Sequence, residues 1–134
     1  PIPLITAERR LAMDESRPIF AQVAEQLEND IISGAMPEES QVPSINEFAA
    51  YYRINPATAL KGVTLLVDAG LLYKKRGIGM FVSPGAAGLL IERRRKQFAA
   101  EYVRPLLAEA AKLGISAEQL AHLIGTTTKT EDMK

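Results

Sequence analysis

The sequence predicts a mainly α-helical fold carrying one small β-hairpin and ending in a short helical tail. Three observations support this. Three successive segments repeat apolar residues at three- and four-residue spacing between capping residues, prolines and glycines; two short apolar and aromatic runs then flank a Gly-x-Gly turn; and helical periodicity resumes beyond residue 84. With 134 residues, 47% of them hydrophobic, the chain is long enough for one domain plus an appendage and too short for two full domains. The absence of cysteine excludes a disulfide framework and a thiolate metal site, and fits a reducing compartment. No apolar run approaches the ~20 residues needed to span a bilayer, and residues 1–17 lack the apolar stretch of a signal peptide. The expectation is therefore a cytoplasmic protein with no membrane partner.

Each element can be justified in turn. Pro18 fits a first helical turn, and Ile19, Phe20, Val23, Leu27 and Ile31 form an apolar stripe that stops at Gly34. Pro37 and Pro43 bracket a loop or short extended piece. Ser44 and Glu47 then form the capping box S-x-x-E, opening a short helix through Phe48, Ala49 and Tyr52. Asn55 caps a third helix with Pro56 in its first turn; Leu60, Val63, Leu66 and Val67 make its expected buried stripe, and Gly70 ends it. Only Arg53 and Ile54 separate these two helices, a connection tight enough for a helix-turn-helix. Leu71–Lys75 and Met80–Ser83 read as strands of a hairpin, with Gly77 and Gly79 supplying the turn and Lys74, Lys75 and Arg76 at or near its tip. Three helices followed by a basic hairpin make a winged helix-turn-helix.

The tail reads as two helices. The first is predicted from about Gly88 to Lys112, carrying Leu89, Leu90, Ile91, Phe98, Tyr102, Val103, Leu106, Leu107 and Leu113, with a kink at Pro105 and a stop at Gly114. Ser116 and Gln119 form a second capping box, starting a helix through Leu120, Leu123 and Ile124 to Gly125, followed by a polar, frayed end. Two helices cannot bury this apolar inventory by themselves, so a second copy of the chain is the expected cover.

Net charge is zero, yet its distribution is uneven. Residues 18–52 hold six acids and no Lys or Arg, whereas residues 53–76 hold five cations (Arg53, Lys61, Lys74, Lys75, Arg76) against the single acid Asp68. A further basic run, Arg93–Lys96, lies in the tail and reads equally well as a solvated helix face. A concentrated cationic segment on a helix-turn-helix and its wing is the footprint of a polyanion-binding face. Catalysis has no comparable signal: there is no P-loop, Ser/His/Asp set or metal-ligand cluster, Gly77-Ile78-Gly79 lacks the third glycine of a nucleotide fingerprint, and the lone His122 sits in a helical setting. The chain reads as a non-enzyme with no cofactor and no metal.

These pieces resemble, in order, the DNA-binding domain of the GntR family of transcriptional regulators. The residues that carry the likeness are Pro18-Ile19-Phe20-Ala21-Gln22, Val42-Pro43-Ser44, Asn55-Pro56-Ala57-Thr58-Ala59-Leu60-Lys61, and Arg76-Gly77-Ile78-Gly79-Met80-Phe81-Val82. Departures are Asn46, where the family commonly has Arg, and Glu39, where it often has Gly. The short tail resembles that of the YtrA-type branch. The resemblance implies an extension at 1–17, a DNA-binding domain at 18–83 and a two-helix dimerisation tail at 84–134.

It further implies a homodimer that binds a palindromic operator on double-stranded DNA and represses transcription, with transporter operons the usual targets of that branch. On that reading Ser44, Asn46, Arg53, Asn55, Ala57, Thr58, Lys61, Lys74, Lys75, Arg76, Gly77 and Gly79 face DNA. The third helix would lie in the major groove and the wing would hold the backbone or enter the minor groove. Leu90, Phe98, Tyr102, Val103, Leu106, Leu107 and Leu113 are the expected dimer seam. Two other readings stand beside it: a winged-helix module used for protein contacts, and a regulator gated by a small-molecule effector bound among the tail helices.

Overall fold

A computed structural model describes residues 16–132 of the chain; all but Ser16 and Arg17 of the expected N-terminal extension lies outside the described residues. The elements run α1 (Ile19–Ser33), α2 (Ile45–Tyr52), α3 (Pro56–Asp68), β1 (Leu72–Lys75), β2 (Gly79–Val82), α4 (Ala86–Phe98), a π-helical turn (Ala99–Val103), α5 (Arg104–Lys112) and α6 (Ala117–Asp132). They divide into two compact units that part between Glu92 and Arg93.

In the first unit, α1 and α3 pack directly against each other, and α2 packs on α3. Pro18 stands one residue before α1 as its N-cap and not within its first turn, and Gly34 ends the helix in the left-handed conformation at φ 87°. The side chain of the buried Gln22 donates from Nε2 to the carbonyl of Arg17 at 3.0 Å, tying down the chain where it enters α1. Val23, Leu27, Phe48, Val63, Leu66, Leu71, Leu72 and Val82 are at most 2% exposed and form one core with Ile31. At ~1.5–3 kcal/mol for each large apolar side chain buried, this cluster is the main force holding the three helices and the hairpin together.

Two expectations change here. Leu60, expected in the buried stripe of α3, is 50% exposed; the stripe that faces the core is Ala59, Gly62, Val63 and Leu66. The reason lies at Gly62, where an added Cβ would stand 2.8 Å from the Phe20 carbonyl oxygen and 3.0 Å from Val23 Cγ1. Small residues let α3 approach α1 closely, and that rotates the larger Leu60 outward. Leu90, expected in the dimer seam, is completely buried and belongs to the core of the first unit.

The hairpin pairs Leu72 with Val82, Tyr73 with Phe81, Lys74 with Met80 and Lys75 with Gly79 in antiparallel register. It is widened by the segment before α2: Gln41 bridges to Phe81, Glu39 and Val42 donate to Val82 and Met80 at 2.8 and 2.9 Å, and Val82 donates to Ser40 at 3.0 Å. The extended piece expected between the two prolines is thus a third edge of the wing. Glu39 sits at φ 66°, a conformation natural to glycine, and accepts from the Tyr73 hydroxyl at 3.2 Å on both carboxylate oxygens.

The second unit holds the last turns of α4, the π-helical turn, α5 and α6. Among its described residues only Ala110 and Leu120 are buried. α4 starts two residues before the expected Gly88. The discontinuity expected at Pro105 takes the form of the π-helical turn just before it, closed by the Arg104 amide donating to the Ala99 carbonyl five residues back. Pro105 has no amide to contribute, so the ladder changes register at a residue that could not have continued it. Ser116 and Gln119 form the expected reciprocal cap, at 2.8 and 3.1 Å. However, α6 runs through Gly125 to Asp132 and does not end there. Glycine in a helix interior costs only about 1 kcal/mol, which does not terminate a helix whose neighbours continue to bond.

Candidate nucleic-acid interface

The site is built from three local structures. The first is the start of α2. Ser44 Oγ accepts from the Glu47 amide at 3.1 Å and the Glu47 carboxylate accepts from the Ser44 amide at 2.9 Å, so the capping box is complete. Hydrogen bonding from Ser44 to the carboxylate, from its backbone amide first and then from its side chain, holds the Glu47 carboxyl below its usual range. Ser44 therefore has a structural task, with Asn46 exposed beside it in the first turn.

The second is the turn into α3 and its first two windings. Arg53 closes α2 in the left-handed conformation at φ 57°, an uncommon position for a non-glycine residue, and its side chain is exposed. Asn55 Oδ1 accepts from the Ala57 amide at 2.7 Å, so one face of its side chain is taken by the cap. Ala57 is exposed and Thr58 half-buried. Lys61 is exposed, and its ammonium stands 4.1 Å from the centroid of the Phe20 ring, a cation–π contact that fixes where the charge sits.

The third is the wing. Strand alternation sends Lys74 and Lys75 to opposite faces. Lys75 lies over Phe81 at 4.4 Å and near Tyr73 at 5.9 Å, on rings that are themselves stacked. Arg76, Gly77 and Ile78 form the exposed tip, with Gly77 at φ 77° and Gly79 at φ 145°. Gln41, which sequence reasoning did not single out, fastens that tip by donating from Nε2 to the Ile78 carbonyl at 3.0 Å. The backbone conformation calls for glycine at 79, and a Cβ there would fall 2.5 Å from the same Nε2 and displace the Gln41 amide from the tip.

The start of α2, the middle of α3 and the wing border a single concavity of about 970 Å³, lined among others by Ser44, Glu47, Leu60, Lys74, Ile78 and Gly79. Of the residues expected to face DNA, it brings together Ser44, Lys74 and Gly79. Arg53, Asn55, Ala57, Thr58 and Lys61 lie along the α2–α3 turn and the start of α3. Leu60, at 50% exposure, was missed as a site residue because an apolar side chain in a periodic pattern reads as core, and Ile78, at 64%, because the turn was attributed to the glycines on either side of it. Among the described residues no His, Cys, Asp and Glu group could hold a metal ion, and no helix is long and apolar enough to cross a membrane.

A helix-turn-helix with a cationic wing beside an exposed third helix is the architecture of winged-helix DNA-binding domains. Comparison with known proteins narrows the class. Residues 20–82 match the model of the bacterial regulatory proteins of the gntR family. A crystal structure from Bacteroides thetaiotaomicron ascribed to that family superposes with a TM-score of 0.69 at 31% identity, covering 84% of this chain and 98% of that one. The HTH-type transcriptional repressor YtrA of Bacillus subtilis is 29% identical over 78% of this chain and 80% of its own length. The repressor NagR of the same organism is 38% identical over 49% of this chain and 27% of its own. The chain belongs to the GntR family and is similar to YtrA over more than three quarters of its length.

Proposed function

We propose that this GntR-family regulator represses transcription in the cytoplasm by binding an inverted-repeat operator as a homodimer, with residues 18–83 on DNA and residues 84–134 joining the two copies. The observation that carries the reading is positional. Every cation from Arg53 to Arg76 is exposed, and each lies on the α2–α3 turn, the first half of α3 or the wing. In this architecture the third helix enters the major groove, with Asn55, Ala57, Thr58 and Lys61 nearest the bases. Ser44, Asn46 and Arg53 would meet phosphates beside it, and Lys74, Lys75 and Arg76 would hold the backbone as Gly77 and Gly79 let the tip come close.

The tail supports a dimer. Phe98, Tyr102, Leu106, Leu107 and Leu113 are 43–64% exposed in a unit with almost no interior of its own. Val103 lies half-buried among them. Covering the exposed half of each large side chain would stabilise an association by roughly 1 kcal/mol before ordering costs. By the YtrA-type likeness, a neighbouring transporter operon is the target.

The test is a gel-shift titration across salt on duplexes selected by the full chain, paired with sedimentation at micromolar concentration. Affinity should fall linearly with log salt, with a slope that counts the neutralised phosphates, and the protein should sediment as a dimer. Salt-independent binding, or none, would sink the DNA reading; a monomer at those concentrations would sink the tail's role.

A further inference from the structure

The outward side of α3 carries little with which to read a base by hydrogen bonding. Its exposed residues are Pro56, Ala57, Leu60, Lys61, Thr64, Leu65 and Asp68. In the half nearest the α2–α3 turn, Lys61 is drawn onto the Phe20 ring at 4.1 Å, and the Asn55 oxygen is committed to the cap at 2.7 Å. The only acid, Asp68, is at the far end. Beside the half-buried Thr58 and the Asn55 amide nitrogen, that half offers methyl-bearing surface, Ala57 followed three residues later by Leu60. Helical geometry places those two on one face.

Leu60 is the largest group there. It is half-exposed although the core lies one residue away at Ala59, and it borders the concavity shared with the start of α2 and the wing. Cations on both sides, Arg53 at the turn and Lys74 on the wing, would hold phosphates and leave this apolar edge against the bases.

In the major groove only one base presents an apolar group, the C5-methyl of thymine. We propose that Leu60 is a specificity-determining residue that reads a thymine methyl in each half-site, with Ala57 extending the same apolar edge. The proposal rests on the DNA-binding reading above and adds the chemistry of its readout. Discrimination comes from burying a methyl against a leucine, so it disappears when the base lacks the methyl, whatever its hydrogen-bonding pattern.

The experiment uses the full chain and duplexes it selects from a random pool, resynthesised with deoxyuridine in place of thymidine at one half-site position at a time. One position should show about a fourfold loss of affinity, the worth of one buried carbon. Leu60→Ala should bind the thymidine and deoxyuridine duplexes equally, whereas Leu60→Met should keep the ratio. Arg76→Ala should weaken both duplexes and leave the ratio unchanged. Because Leu60 is half-exposed, Leu60→Ala should melt within a few degrees of the parent, so a lost ratio reports readout and not unfolding. Discrimination that survives in Leu60→Ala, or indifference of the parent chain to every deoxyuridine, overturns the methyl readout alone. If no selected duplex is bound more tightly than random DNA, the operator-binding reading falls with it.

Discussion

Gly62 sets the distance between α1 and α3, because no larger residue fits under the Phe20 carbonyl and the Val23 side chain. Gly62→Ala gains up to about 1 kcal/mol of helix propensity but meets backbone at 2.8 Å, and overpacking of that kind typically costs about 1–3 kcal/mol. The substitution should therefore destabilise the domain, seen as a lower urea midpoint with an unchanged slope; a raised midpoint would show that α3 can shift freely. The same close approach explains why Leu60 was misread from periodicity. Alternation of apolar and polar residues identifies a face, but the centre of this face is occupied by Ala59 and Gly62, which carry little hydrophobic signal. Lys61 is a comparable case. Its charge was legible, its position over Phe20 was not, because the ring comes from a helix some forty residues upstream.

At the scale of elements, the most legible features were those whose cause lies within a few residues. Both capping boxes, the Asn55–Pro56 start and the Gly34 stop could be read from four-residue windows and stand in the structure as expected. The π-helical turn and the continuation of α6 past Gly125 were not, since each depends on how a longer helix accommodates one awkward residue.

The α2 cap gives a test in acid. The Glu47 carboxyl is held below its usual range, so the unfolded chain takes up its proton at higher pH than the folded one does. The stability it contributes is complete above the ordinary carboxylate range and is lost as pH falls through the folded-state value. Ser44→Ala should cost about 1 kcal/mol at neutral pH and flatten the acid side of the stability profile, measured by urea unfolding from pH 7 to pH 3. An acid limb unchanged in slope would mean that the cap does not set it.

The wing and the third helix should separate in their effects. Arg76→Ala should weaken binding to all duplexes alike and reduce the salt slope by about 1, whereas Thr58→Ala should change the preference among duplexes. Equal effects of both on every sequence would refute that division.

For the whole molecule, a neutral total conceals a cationic segment that begins at Arg53 and ends at Arg76, and acids elsewhere balance it. Solubility and non-specific attraction follow the total, while encounter with a polyanion follows the local charge. The fold class, the helix-turn-helix and the wing were legible because each arises from local pattern. The allocation of tail residues was less so. Leu90 and Leu89 are neighbours of equal hydrophobicity, yet one lies in the first unit's core and the other is 49% exposed. Nothing in composition separates them; the direction in which α4 leaves the hairpin does.

The five-residue turn at Ala99–Val103 winds a surplus amino acid into the spiral. The widened turn absorbs that residue, so the helix beyond it keeps nearly the phase it would have without it; wound as ordinary α-helix, the same residues would swing everything downstream about 100° around the axis relative to Phe98. Excising Ala100 should thus yield an unbroken α-helix with Leu106 and Leu107 still on the side of Phe98, and on the proposed dimer reading the shortened protein should sediment as the parent does. Single chains in that run would mean that the bulge itself, and not the phase it preserves, is what the proposed pairing needs. Unchanged sedimentation would make the extra residue a silent passenger, whose gain or loss by a single codon leaves assembly intact.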